Sequence, residues 1–421
     1  MAAKNRISIP RITYLRVKNY RALHDLELED LTPLTVLLGP NGSGKSTVFD
    51  VFAFLSECFG GGGLRKAWEK RNRLRELRTK GETGPIEIEL KYRPDAKSPL
   101  ITYLLAIDED KNGPIIVREE MKWRGLKSEE TFVFLHFERG QGYIARGQRE
   151  VEIGLLDSDL TDLEFLAGPD VLAVNALGQL NRYPHVVALR AFITGWYLSY
   201  LSVASTQSST EPGVQEHLSE TGDNLPNVVH YLKEQHPEQM AAIEKALSRQ
   251  VPRFGAVQAE SMADGRLLLT IRDTPFEQPI LAKFASDGTL KMLAYLTLFY
   301  DPAPRPLLAI EEPENQLHPM LLREFAQECQ QATARSQVFV TTHSPFILNE
   351  LKPEQVWVLY RNEQGYTQAV RAADLAGVEE FMENGASLGY LWLEGSFGVG
   401  DPRRPNVKPR LRQGPYHPTR S

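Results

Sequence analysis

Gly39-Pro40-Asn41-Gly42-Ser43-Gly44-Lys45-Ser46-Thr47 is the stretch on which the reading of this chain turns. It satisfies the spacing G-x-x-x-x-G-K-[ST] of a phosphate-binding loop. The apolar run Leu34-Thr35-Val36-Leu37-Leu38 before it suits a buried strand. Thr47-Val48-Phe49-Asp50-Val51-Phe52 after it suits the first turns of a helix. Glycines let the backbone curl so that successive N–H groups face one way, at a helix N-terminus carrying partial positive charge. Gly39, Asn41, Gly42, Ser43, Gly44 and Thr47 are therefore expected to cradle phosphates. Lys45 should reach the outer phosphates, and the Ser46 hydroxyl should ligate Mg²⁺. The competing reading is a Gly-rich turn that binds nothing, and the flanking strand and helix argue against it.

Working outward, residues 12–38 read as short strands, and the helix after the loop should run to Phe59 and stop at Gly60 to Gly63. Alternating segments at 86–90, 100–107, 115–117 and 132–135 read as antiparallel strands. Helical patterns dominate from about 160 to 201, with Ala191-Phe192-Ile193 and Trp196-Tyr197-Leu198 read as buried helix. Residues 205–210 suggest a surface loop, 227–250 one or two helices broken at Pro237, and 289–300 a further helix. Strands are expected at 267–271, 307–310, 338–341 and 356–359. The Pro- and Arg-rich stretch 403–421 is expected to be disordered. The fold class is α/β: a P-loop NTPase with a mixed β-sheet core and helices, plus antiparallel β and helical insertion lobes. Residues 1–370 are read as the head, with a nucleotide-binding core at about 10–59 and 265–360 and the insertion at about 60–250. Residues 371–421 are read as a C-terminal extension with a basic tail.

Bulk properties exclude several classes. The 421 residues carry a net charge of −6, so nucleic-acid binding must come from a local patch. Cys58 and Cys329 are the 2 cysteines, which argues against a disulfide framework and a Cys-based zinc site and suits a reducing cytoplasm. The start Met-Ala-Ala-Lys-Asn-Arg has no apolar core of a signal peptide. The longest largely apolar run, 191–204, falls short of a bilayer span of roughly 20 residues. The expectation is a soluble cytoplasmic protein without membrane attachment.

Three further motifs carry chemistry. Leu307-Leu308-Ala309-Ile310-Glu311-Glu312 is an apolar strand ending in two carboxylates. A strand end beside the phosphate loop is where an NTPase needs its Mg²⁺ ligand and its water-polarising base. Neighbouring strand side chains point to opposite faces, so Glu311 is assigned to the Mg²⁺ shell and Glu312 to the attacking water. His343, in Thr341-Thr342-His343-Ser344-Pro345, also follows an apolar strand and could hydrogen-bond the γ-phosphate. Ser286-Asp287-Gly288-Thr289 opens a helix whose free N–H groups could meet an anion, although the same residues make a good N-cap.

Order and spacing resemble the ABC-type ATPase heads of the RecF/SMC/OLD group, over roughly residues 10 to 360. Ser286-Asp287-Gly288-Thr289 resembles the signature motif, and the resemblance implies that Ser286 and Gly288 complete the ATP site of a second subunit. Glu312-Pro313-Glu314-Asn315-Gln316-Leu317-His318 resembles the D-loop region, with His318 where many members have Asp. His343 resembles the switch histidine. Asn19-Tyr20-Arg21 resembles the element that approaches the nucleotide base, which adds Arg21 to the nucleotide-binding candidates. ATP and Mg²⁺ are the implied cofactors, a head-to-tail homodimer through the ATP sites the implied assembly, and DNA repair or antiphage defence the implied roles. For the Q-loop glutamine, Gln141, Gln148 and Gln179 stay open as candidates. Leu393-Glu394-Gly395 faintly resembles the start of a TOPRIM domain, with too few residues after it for the remaining acidic motifs. A nuclease is therefore expected on a separate TOPRIM-like partner.

Arg65, Lys66, Lys70, Arg71, Arg73, Arg75, Arg78 and Lys80 form a dense basic run. Arg65, Lys66, Arg71, Arg73, Arg75 and Arg78 are the candidates for tracking a DNA backbone, against the plainer reading of a solvated helix. Two other functions fit the same motifs: an ATP-gated scaffold that turns over slowly and holds an effector, and the ATPase subunit of a transporter. The long insertion and the Ser-Asp-Gly signature argue against the transporter.

Overall fold

Alternation of apolar and polar side chains builds the largest sheet. In Ile86–Arg93 every second residue is buried, as a strand with one covered face requires. The computed structural model describes residues 9–95, 98–124, 131–145, 161–206, 213–262, 266–274, 276, 278–401 and 408–412. The chain forms two units, Met1–Trp196 with Pro353–Glu380 and Gly395–Ser421, and Tyr197–Lys352 with Phe381–Glu394.

In the first unit, β1 (Arg11–Tyr20), β2 (Leu23–Leu28), β4 (Ile86–Arg93), β5 (Leu100–Asp110), β6 (Gly113–Arg124), β7 (Thr131–Glu138), β8 (Gln141–Ala145) and β9 (Thr161–Phe165) form one antiparallel sheet, in the order β2-β1-β4-β5-β6-β7-β8-β9. The phosphate loop leaves β3 (Leu34–Leu38), whose five residues are all buried. β3 runs parallel to β16 (Val356–Arg361), and β16 pairs antiparallel with β17 (Thr367–Arg371). Helix α1 (Lys45–Phe59) follows the loop and ends at Gly60, as its sequence predicts. Phe52, Phe54 and Phe59 of α1 are fully buried. Their rings meet Trp196 at 5.5 Å, Tyr20 at 5.8 Å and Tyr103 at 5.6 Å. Each such burial is worth roughly 1.5–3 kcal/mol, so aromatic packing fixes the helix that carries the loop.

The basic run is not one helix. It divides into α2 (Gly63–Lys70) and α3 (Leu74–Leu77), separated by Asn72 and Arg73 with φ of 58° and 67°. The segment at 160–201 also departs from its helical reading. Helices α4 (Ala173–Leu177) and α5 (Pro184–Thr194) are present, but Thr161–Phe165 is strand β9, paired with β8. Tyr197–Ser199 is strand β10, buried throughout. Short apolar runs carry too little periodicity to separate strand from buried helix.

In the second unit β10, β14 (Leu307–Glu311) and β15 (Gln337–Thr342) are parallel, with β14 between the other two. Ser205 and Thr206 end the short helix α6 (Val203–Thr206), and the rest of the expected loop at 207–210 lies outside the described residues. Helices α7 (Leu225–Gln235) and α8 (Pro237–Gln250) meet at the expected break before Pro237. Strands β11 (Phe254–Ser261), β12 (Leu267–Asp273) and β13 (Ile280–Leu281) form a second antiparallel sheet. Helices α9 (Asp287–Phe299), α10 (Pro319–Ala332) and α11 (Pro345–Leu348) each follow one of the motif segments. Of the tail expected to be disordered, residues 408–412 are described: Leu411 bridges Leu375, and Arg412 pairs with Glu379. The remainder of that tail lies outside the described residues.

Candidate nucleotide site

The phosphate loop is held open by its glycines. Gly42 and Gly44 have φ of 78° and 109°, a region that side chains with Cβ avoid. A Cβ at Gly44 would lie 2.3 Å from Thr367 Oγ1, and one at Gly39 would lie 2.4 Å from the Leu359 carbonyl oxygen. Lys45 Nζ donates to the carbonyls of Gly39 (2.8 Å) and Pro40 (3.2 Å), which folds the ammonium into the loop. Gly44 caps α1 with no side-chain hydrogen bond, so no capping side chain competes with an anion at this helix N-terminus. Asn41, Gly42 and Ser46 are exposed, whereas Ser43, Gly44 and Lys45 are buried. The hard oxygen of an exposed Ser46 fits Mg²⁺, which takes few protein ligands and the rest from phosphate and water.

Residues far along the chain brace this loop. Arg361 donates Nε to the Gly42 carbonyl (2.6 Å) and Nη1 to the Gly365 carbonyl (2.8 Å). Thr367 donates its hydroxyl to the Ser43 carbonyl at 2.9 Å. On α1, Asp50 gathers three partners: the Tyr20 hydroxyl (2.6 Å), Arg21 Nη1 (2.9 Å) and Arg71 Nε (2.9 Å). Arg21, the base-approach candidate, is thereby tied one turn beyond Ser46.

Arg21 also lines a cleft of about 1280 Å³. Lys70, Arg73, Arg75, Lys80 and Arg361 share its wall, against the acids Glu76 and Glu109. The DNA candidates divide here. Arg73 and Arg75 are exposed in the cleft. Arg71 is only 5% exposed, with its guanidinium on Asp50, Glu57 and the Ala67 carbonyl. Arg78 pairs with Asp108. Arg65 lies outside the lining residues, on Asp170 and the Asn112 carbonyl, and exposed Lys66 does too.

The carboxylate strand stands in the other unit. Leu307 to Ile310 are buried and Glu311 ends β14, opposite Thr341 of β15. Glu312 is not the next strand residue. Its φ is 41°, so a left-handed turn and not strand alternation separates the two carboxylates. Its N–H donates to the Thr341 carbonyl (3.0 Å) and to Thr341 Oγ1 (3.1 Å), while Asn315 Nδ2 donates to its Oε2 at 3.2 Å. A left-handed non-Gly residue costs about 1–3 kcal/mol, and these bonds hold it there. His343 follows β15 and is 48% exposed, with Nδ1 3.2 Å from Glu314.

Ser286 is the N-cap of α9: its Oγ accepts from the Thr289 N–H at 3.2 Å. Ser286 and Asp287 stay exposed. His318 is the N-cap of α10, with Nδ1 accepting from the Met320 N–H at 3.2 Å. Asp is also a good acceptor for this bond, so His and Asp are interchangeable as the cap here. Among the Q-loop candidates, Gln141 opens β8, Gln179 donates to the Asn175 carbonyl at 3.3 Å, and Gln148 lies outside the described residues.

Sequence reasoning missed Arg361, Thr367, Asp50 and Lys291. Lys291 could have been flagged, because it interrupts the apolar run Leu290-Lys291-Met292-Leu293-Ala294. It is 4% exposed, and burial lowers its pKa to about 8, against the opposing pull of Glu314.

Comparison with known proteins gives three kinds of match. A family model described as an AAA ATPase domain matches residues 11–153. A second AAA-domain model, whose description names the AbiEii toxin of type IV toxin–antitoxin systems, matches residues 210–349. The structural maintenance of chromosomes protein 5 of Schizosaccharomyces pombe is 31% identical over 110 residues, which span 26% of this chain and 10% of that protein. Among solved structures, the SMC head domain from Thermotoga maritima aligns over 86% of this chain and 98% of its own, with 13% identity and a TM-score of 0.40. The Smc head domain with an extended coiled coil bound to the C-terminal domain of ScpA, from Pyrococcus furiosus, aligns over 89% and 98%, with 12% identity and a TM-score of 0.49. No helix among the described residues is long and apolar enough to cross a membrane.

Proposed function

We propose, on the premise that the chain is an ABC-type ATPase of the RecF/SMC group, that it hydrolyses Mg²⁺-ATP as a head-to-tail homodimer acting on DNA in the cytoplasm. The observation that carries this reading is the phosphate loop: an uncapped helix N-terminus, an enclosed Lys45 and an exposed Ser46. In the proposed reaction the loop and Lys45 hold the phosphates, with Ser46 and Glu311 on Mg²⁺. Glu312 orients the attacking water, and His343 contacts the γ-phosphate. Bound Mg²⁺ would neutralise phosphate charge as the terminal phosphoryl group leaves. Ser286 and Gly288 of a second copy would complete each site through the exposed N-terminus of α9.

The dimer is tested by Ser286→Arg, which should keep ATP binding and lose turnover. Mixing Ser286→Arg with Lys45→Ala should restore activity, since one mixed site then has an intact loop and an intact signature. Full activity of Ser286→Arg alone would refute the dimer.

DNA binding is supported by the basic cleft, in a chain whose overall net charge is −6. Phosphate-backbone binding should weaken steeply with salt; a flat salt dependence would count against it. We place the activity in DNA repair or antiphage defence, with a separately encoded TOPRIM-like nuclease as partner. Co-purification with neighbouring gene products tests that assignment, and absence of a nuclease among them would remove it. A second reading, an ATP-gated scaffold that restrains an effector, is favoured by the toxin–antitoxin description of the family matching residues 210–349. Slow turnover that DNA does not stimulate would select it.

A further inference from the structure

Two enclosed charges lie between the signature helix and the switch histidine. Glu314, whose side chain is 9% exposed, gathers three groups on Oε1: the His343 N–H (2.7 Å), the Thr342 hydroxyl (2.8 Å) and His343 Nδ1 (3.2 Å). Its Oε2 is buried without a hydrogen-bond partner among the described residues. Lys291, in the second turn of α9, donates Nζ to the Asn315 carbonyl. Asn315 in turn touches Glu312 Oε2 through its side chain at 3.2 Å. One contiguous set of contacts thus runs from α9 to Glu312, and the neighbouring carboxylate runs on to His343. All of these residues lie in the second unit.

A strand-end cap alone does not account for this arrangement. Hydroxyls or amides cap backbone N–H groups without burying charge, whereas a buried carboxylate and a buried ammonium each cost several kcal/mol before pairing. An enclosed carboxylate oxygen without a partner is a further cost. A carboxylate against Nδ1 does something a neutral cap does not: it selects the tautomer with hydrogen on Nδ1 and fixes the ring plane, leaving Nε2 for substrate.

We propose that Glu314 is a positioning residue for His343, and that Lys291 transmits displacement of the signature helix to Glu312 and His343 through the loop 312–315. A second copy docking on Ser286 would then be sensed at both catalytic groups. The inference rests on the ATPase reading above, and its test has one arm that does not depend on turnover.

With ¹⁵N-labelled histidine in the full chain, and His343→Gln used to assign the signal, His343 should show the Nδ1–H tautomer. Glu314→Gln should shift it towards Nε2–H, and Lys291→Met should alter it as well. An unchanged His343 signal in both variants overturns the proposal, whatever the protein hydrolyses. In the kinetic arm, both variants should bind ATP with Kd within about twofold of wild type and lose kcat by roughly ten- to hundredfold, as for outer partners that orient a functional histidine. The double variant should lose no more than the worse single variant, because coupled residues are not additive. Multiplying losses, or kcat and KM changing together with a fall in Tm, would reduce both residues to structural supports. If wild type binds ATP without hydrolysing it while the tautomer shifts as stated, the ATPase reading fails and the positioning inference stands.

Discussion

Replacing Glu119 by glutamine should change how the stability of the first unit depends on pH. Glu119 is fully buried on β6, where its oxygens accept from the N–H groups of Ala173 (2.6 Å) and Val174 (3.1 Å) and from the Tyr103 hydroxyl (3.1 Å). It therefore anchors α4, and Asn175 of α4 donates to the Cys58 carbonyl near the end of the phosphate-loop helix at 2.7 Å. Burial pushes the carboxyl from 4.5 up to about 7, against those three donors. The folded protein then keeps a proton that the unfolded chain has lost between pH 4.5 and 7. The stability it contributes is full below pH 4.5 and falls as pH rises through 7, by roughly 3 kcal/mol over the window. Asp25, Glu57 and Glu120 have lowered pKa values, so their contributions are lost only as pH falls below the ordinary carboxylate range. Glutamine carries no titration, but its amide group must face one of the three donors, at a cost of about 1–3 kcal/mol. Urea unfolding followed by tryptophan fluorescence at pH 5, 6, 7 and 8 should show the variant clearly weaker than wild type at pH 5, and the gap closing by pH 8. A gap that stays constant across this range would refute the argument.

Three further outcomes follow from the site. Arg361→Gln removes the bracing of Gly42 and should weaken ATP binding about tenfold, the equivalent of one charge-assisted hydrogen bond of roughly 1.5 kcal/mol; equilibrium nucleotide titration checks it. Arg73→Ala and Arg75→Ala, exposed in the basic cleft, should each lower the salt slope of DNA binding by about one, whereas Arg65→Ala, outside the cleft, should leave it unchanged. His318→Ala should cost about 1 kcal/mol through the lost cap of α10, and His318→Asp should recover it; chemical denaturation distinguishes them.

Strong local signals made much of this molecule legible. The loop, helix α1 and the strands β14 and β15 follow from a fixed motif beside apolar runs, and α9 from a long, largely apolar run behind the Ser286 cap. Edge strand β9 and buried strand β10 were not legible, because three to five residues hold too little pattern to exclude a helix. Arg71 sits in a basic run that reads as surface, yet it is buried because Asp50 and Glu57 on α1 receive it. That pairing depends on how two helices pack and leaves no mark in the spacing of the run. The brace from Arg361 to Gly42 joins positions 319 residues apart. Strand alternation predicts opposite faces for Glu311 and Glu312, whereas the chain separates them by a left-handed turn at Glu312.

ATP turnover per subunit, measured against protein concentration with and without duplex DNA and with Glu312→Gln as the blank, tests the central claim most directly. The account expects a rate that rises with concentration as dimers form, rises further with DNA, and vanishes in Glu312→Gln. A rate per subunit independent of concentration, or one that survives in Glu312→Gln, would contradict it.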